Sequence, residues 1–146
     1  MVRYRRHFLP GGTYFFTITL RDRTASTLTE NIPILRAAFR DTRRALPFRM
    51  DAICILPDHV HMLCTLPEGD ADYPSRIRRI KSYVSRTLGF SPWQSRYWEH
   101  TIRDDDDFRH HADYTHYNPV HHGLVSDALD WPYTSLHRVA RMEAKP

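Results

Sequence analysis

Phe48-Arg49-Met50-Asp51-Ala52-Ile53-Cys54-Ile55-Leu56-Pro57-Asp58-His59-Val60-His61-Met62-Leu63-Cys64-Thr65-Leu66 is the stretch whose reading decides the fold. It holds two runs rich in apolar and β-branched residues, about Phe48 to Leu56 and His59 to Leu66, split by Pro57-Asp58. Such a dipeptide turns the chain, so the two runs read as neighbouring strands. Side chains alternate along a strand, which puts His59 and His61 on one face and sends Val60 into the core. Two imidazoles so placed can reach one metal ion. The chain has ten histidines, with doublets at His110-His111 and His121-His122, so this pair gains weight only from its context.

Upstream, Tyr14-Phe15-Phe16-Thr17-Ile18-Thr19-Leu20 follows Gly11-Gly12 and reads as a strand. Asn31 can cap a helix with Pro33 in its first turn and Ile34, Leu35, Ala38, Phe39 and Thr42 on one face. That helix should stop before Pro47. Downstream, Pro74 opens a helix with Ile77, Ile80, Val84 and Leu88 on its apolar face and Arg76, Arg79, Tyr83 and Arg86 on the other. Trp98 to Arg103 is a short fourth strand, in which Trp98 is expected to pack into the core. Asp104 to Asp107 suit the positive end of a last helix that should end near Asn118-Pro119. The order predicts an α+β, ferredoxin-like βαββαβ antiparallel sheet with an added C-terminal helix. Residues 1–146 form one domain, a core to about residue 118 and a tail, 119–146, laid over the body with Trp131-Pro132-Tyr133.

The chain has 146 residues and a formal net charge of +4. Its basic residues cluster at Arg3-Tyr4-Arg5-Arg6, Arg40 to Arg44 and Arg76 to Lys81. Basic clusters interleaved with aromatics fit a polyanion. Cys54 and Cys64 sit in apolar runs and read as buried hydrophobes in a reducing compartment. They lack Cys-x-x-Cys spacing, which disfavours a structural zinc site. Neither a secretory leader nor a membrane-length apolar run is evident, so a soluble cytoplasmic protein is expected.

The last helix adds a second constellation, Tyr114-Thr115-His116-Tyr117-Asn118-Pro119. Residues four apart share a helix face, so the Tyr114 phenol lies beside the Asn118 amide. His116, at an offset of two, points elsewhere. Tyr117 sits three residues on and is expected to pack under the C-terminal tail.

In Tyr4-Arg5-Arg6, Gly11-Gly12-Thr13-Tyr14-Phe15-Phe16-Thr17, Leu56-Pro57-Asp58-His59-Val60-His61, Arg96-Tyr97-Trp98-Glu99-His100, Asp113-Tyr114, Asn118-Pro119-Val120 and Asp130-Trp131-Pro132, the chain resembles the REP-associated tyrosine transposases. These are a branch of the HUH endonucleases close to the single-tyrosine insertion-sequence transposases. The resemblance spans almost the whole chain. It implies that Tyr114 is the nucleophile and that His59 and His61 bind Mg²⁺ or Mn²⁺. Asn118 falls where related transposases carry an amide or acidic third ligand. It further implies a bacterial, DNA-associated enzyme that cuts single-stranded DNA at repetitive extragenic palindromic hairpins through a 5′-phosphotyrosine. Because an ordinary tyrosine hydroxyl has a pKa of about 10, a divalent ion that stabilises phenolate and polarises the scissile phosphate would help.

Arg3, Tyr4, Arg5, Arg6, Arg79 and Arg96 are the residues expected at DNA, with Trp93 and Tyr97 as flat rings for unstacked bases. The alternative is a hairpin-binding or regulatory protein that keeps the fold without cutting. An intact His59, His61, Tyr114 and Asn118 favours the enzyme, since a pure binder needs no nucleophile one turn from a ligand. Monomer and dimer are equally compatible with the sequence.

Overall fold

Alternation along the strand β1 (Thr13–Thr19) sends Tyr14, Phe16 and Ile18 to one side of a sheet and Phe15 and Thr17 to the other. The computed structural model describes residues 8–143, so Arg3, Tyr4, Arg5 and Arg6 lie outside the described residues. β1 pairs antiparallel with β3 (His59–Thr65) and with β4 (Trp98–Thr101), and β2 (Arg49–Ile55) pairs with β3. The strand order β2-β3-β1-β4 is that of the expected ferredoxin-like sheet. Helices α1 (Ile32–Ala45) and α2 (Tyr73–Leu88) cover the Tyr14 side through Leu35, Ala38, Phe39, Ile77, Ile80 and Val84. Helix α3 (Asp105–His121) covers the other side against β2 and β3, with Phe108 and Ala112 on Phe15, Ala52 and Leu63. Among the described residues, no helix is long and apolar enough to cross a membrane.

Local chemistry sets most element ends, with departures from expectation. Asn31 stands at the α1 N-cap but does not cap; its Nδ2 donates to the Thr27 carbonyl at 2.7 Å. Asp72 caps α2 instead, accepting from Ser75 N–H at 3.1 Å, and Gly89 closes it at φ 86°. Arg76 is not on a polar face: it is 4% exposed. Three residues after Tyr73 and four before Ile80, it stands on the buried stripe, where its guanidinium donates to the Leu46, Pro47 and Asp72 carbonyls and to Asp70.

Two further corrections concern Pro119 and Trp98. Helix α3 does not end at Asn118-Pro119 but runs to His121. A proline in the last turn forfeits one bond, and the turn is closed by Leu124 N–H to the Pro119 carbonyl and Gly123 N–H to the Val120 carbonyl, both 2.9 Å, with Gly123 at φ 71°. Trp98 does not pack into the core; on the outermost strand it is 59% exposed.

The tail is more than a cover. Trp131 Nε1 donates to the Ile55 carbonyl, Ile55 N–H to the Tyr133 carbonyl and Ser135 N–H to the Ile53 carbonyl, each at 2.9 Å. Residues 131–135 therefore pair along the outer edge of β2, and α4 (Leu136–Glu143), which the sequence did not announce, follows.

The Asp107 carboxylate ties β4 to α3. It accepts from His100 Nε2 at 2.9 Å and from Arg103 N–H at 2.8 Å, and His111 Nδ1 lies 3.1 Å away. Burial would raise its pKa, but these donors outweigh burial and hold it at about 2, below the usual 3.8.

Two outcomes follow from these ties. Arg76→Met should lower the unfolding free energy by about 3 kcal/mol, because a carboxylate and three carbonyls lose their donor; an unchanged urea midpoint would show the knot to be dispensable. Asp107→Asn should lower the melting temperature near neutral pH. Because the folded carboxyl titrates below the unfolded one, its contribution is whole above about pH 4 and lost as pH falls to about 2. Melting curves of the two proteins should converge over that window; a gap that stays constant would assign the effect to packing.

Candidate active site

His59 and His61 project from β3 into the layer under α3, where both are buried. Each ring is aimed by a partner at Nδ1. His59 Nδ1 lies 2.8 Å from Asp58 Oδ1, and His61 Nδ1 lies 2.8 Å from Thr17 Oγ1, directly across the β1–β3 pairing. These contacts leave Nε2 of each ring for the space beneath the helix. His59 Nε2 lies 3.3 Å from Asn118 Oδ1, and the ring centroids are 4.7 Å apart. His61 Nε2 and Asn118 Nδ2 are buried without a hydrogen-bond partner among the described residues.

The electrostatics suit ligation. Burial, then the neighbouring His59 and His122, push the His61 pKa down to about 3, so this ring keeps a free lone pair at neutral pH. Burial would raise the Asp58 carboxyl, but Arg23, whose Nε is 2.5 Å from Oδ2, and His59 hold it below the usual carboxylate range. Asp58 therefore stands as an anion behind His59, the arrangement that fixes the orientation of a ligating imidazole. Two imidazole nitrogens and one amide oxygen can hold a divalent ion with open positions; this mixed set suits Mn²⁺ at least as well as Mg²⁺.

Tyr114 stands one turn before Asn118 on α3 and is 44% exposed. Its ring centroid is 5.2 Å from that of His61 and 5.9 Å from that of Phe15, both edge-on. One wall of the resulting groove is Phe15, Thr17, Trp98, His110 and His111. Four residues named from spacing and from the family resemblance thus converge: His59, His61, Asn118 and Tyr114. Tyr117 does not lie under the tail and is 57% exposed. The tail packs instead on His116, whose Nε2 meets Ser135 Oγ at 2.8 Å.

Of the arginines expected at DNA, Arg96 is exposed and lines a groove with Thr17 and Trp98 on the His61 side of the sheet. Arg79 lies on α2, across the sheet, with its Nε 3.1 Å from Asp41 Oδ2. Sequence reasoning missed Thr17, Asp58 and His122, whose ring is 5.2 Å from His59. Asp58 was readable as the neighbour of His59, whereas Thr17 needs the strand register. A second cluster, His100, Asp107 and His111, brings its polar atoms within 4.8 Å of one another. Its carboxylate already accepts from His100 and from Arg103 N–H, and Arg103 Nε is 3.7 Å away, so this is a hydrogen-bonded clamp.

No protein-family model matches the chain. A Haemophilus influenzae protein named as a REP-associated tyrosine transposase is 47% identical, over 100% of this chain and 92% of its own. The REP-associated tyrosine transposase of Escherichia coli is 47% identical over 97% of this chain and 87% of its own. A solved REP-associated tyrosine transposase bound to a REP hairpin has a TM-score of 0.95 and 44% identity, covering 100% of this chain and 89% of that one. A Deinococcus radiodurans protein described as a transposase, 17% identical with a TM-score of 0.54 over 74% of this chain and 92% of that one, shares the fold. Likeness of this degree runs the length of the chain, and the protein belongs to the REP-associated tyrosine transposases.

Proposed function

We propose that this protein cuts and rejoins single-stranded DNA at the foot of a hairpin, with Tyr114 as nucleophile and Mg²⁺ or Mn²⁺ held by His59, His61 and Asn118. The observation that carries this reading is the buried His61 Nε2, set beside His59 Nε2 and Asn118 Oδ1 and next to an exposed tyrosine. Buried polar atoms without partners are costly, so a site that keeps them is suited to a ligand. The 44%-identical structure with a REP hairpin supports a hairpin partner.

Tyr114 Oη attacks the phosphorus of the scissile phosphodiester. The phenol gives up its proton to solvent as the P–Oη bond forms, the bond from phosphorus to the 3′ oxygen breaks, and that oxygen takes up a proton from solvent and leaves as a 3′-hydroxyl. The 5′-phosphotyrosine keeps the energy of the original ester, so a 3′-hydroxyl can attack it and restore DNA without ATP. A bound divalent ion would supply Lewis-acid stabilisation of the charge developing on the phosphate. Asp58 and Thr17 keep both imidazoles oriented, Asn118 fixes the helix face, and Phe15 supports the tyrosine ring at its edge.

His59→Ala and His61→Ala should abolish cleavage of a labelled REP hairpin in Mn²⁺ or Mg²⁺, and cleavage at the wild-type rate would remove the ion from the mechanism. Asp58→Asn and Thr17→Val should slow it about 10- to 100-fold, because ring orientation is loosened while the ligands remain. Tyr114→Phe should abolish the covalent DNA adduct and leave hairpin binding within a few-fold of wild type; Tyr117→Phe should keep the adduct. Mass spectrometry of the trapped peptide decides: a phosphotyrosine at Tyr117 overturns the assignment. A wild-type protein that binds the hairpin and never forms an adduct would be a regulator that keeps the fold.

A further inference from the structure

Three surface grooves join around β4. The first, about 580 Å³, runs along α2 and is lined by Arg78, Lys81, Arg86, four serines and Tyr97 among others. The second shares Tyr97 and adds Arg96, Gln94 and Trp98. The third shares Trp98 and ends at Tyr114. No carboxylate lines any of the three among the described residues. Arg78 and Arg86 are exposed and, among the described residues, carry no salt bridge, whereas α2's Arg76 and Arg79 are paired with Asp70 and Asp41.

The path changes sides of the sheet. Tyr97 packs on Phe16, in the layer under α2, with ring centroids 6.2 Å apart; Trp98, the next residue, opens toward Tyr114. Consecutive residues of an extended segment face opposite ways, so an occupant of all three grooves bends over β4. Duplex DNA, with a persistence length of about 150 base pairs, resists that bend; a single strand does not. Guanidinium and hydroxyl donors fit its phosphates, and Tyr97 and the exposed Trp98 fit its unstacked bases.

We propose that the single strand flanking the hairpin runs along this track, from Arg78 and Arg86 over Tyr97 and Trp98 to Tyr114. The proposal rests on the reading of Tyr114 as the residue that meets the cut strand. Arg78 and Arg86 are two helical turns apart, about 12 Å along the axis, so they address separate phosphates.

The test uses the full chain, its Arg78→Ala/Arg86→Ala double variant, and fluorescence anisotropy. The probes are a REP hairpin without flanks, the same hairpin with an oligothymidine flank of about 15 nucleotides on its 5′ or its 3′ side, and that oligothymidine alone. For wild type, one flank should tighten binding about tenfold, and the double variant should lose that gain while binding the unflanked hairpin equally well. Its salt dependence on the flanked probe should fall by about 1.4 in log–log slope, two single-strand contacts' worth. A gain that survives in the double variant, no gain from either flank, or an equal loss on the unflanked hairpin would each overturn the track. Oligothymidine binding that is lost in the variant supports the track even if the hairpin does not bind. The Tyr114 adduct on a short-flanked hairpin is scored separately, so failure of the chemistry and failure of the track are distinguishable.

Discussion

The pairing that sets Thr17 opposite His61 is the constraint on which the site depends. A strand has a period of two, so a slip of one residue between β1 and β3 would turn both imidazoles into the layer of Tyr14, Phe16 and Ile18. Val60 and Met62 would then face α3 in place of the two imidazoles. The register is fixed from both layers. Val60, Met62 and Cys64 fill the apolar side, and at the far end Thr13 and Thr65 share a hydroxyl hydrogen bond of 2.7 Å. The same pairing that packs the core therefore aims the histidines.

Helix α3 meets that strand with two different environments one turn apart. Asn118 is buried and holds its amide against His59, while Tyr114 stands half open to solvent. Low dielectric beneath the helix keeps His61 neutral and raises the cost of its unpaired nitrogen. Stability is given up there for a point that a ligand can satisfy. The clamp of His100 and Asp107 anchors the N-terminal end of the same helix to β4, and Ser135 of the tail meets His116 near its other end. A helix held at both ends keeps its tyrosine over the paired histidines.

Much of this was legible in the residues. The period of two across Pro57-Asp58 placed the histidines on one face, and the period of 3.6 put Tyr114 beside Asn118. What stayed hidden depends on neighbours distant in the chain. Thr17 meets His61 only once the strands are in register. Arg76 looked polar by composition, although its place between Tyr73 and Ile80 and the ring of carbonyls around its guanidinium bury it. Trp98 looked like core because it is large and apolar, but the outermost strand leaves it open. Pro119 looked like a stop, yet a proline in a last turn removes only one bond. The tail gave no periodic signal for pairing because much of its bonding to β2 is through the backbone.

The pairing of the tail with β2 also has a bearing on synthesis. An open strand edge is a template for other chains. Here the segment that closes the β2 edge comes from the last part of the sequence, 131–135, and so leaves the ribosome after the sheet residues. Until it arrives, the nascent protein can assemble its helices and central strands yet still offers a bare edge beside the histidine strand. Once the tail is made, Trp131 Nε1 on the Ile55 carbonyl helps to close that edge and so removes a template that a neighbouring chain on the same messenger could otherwise meet.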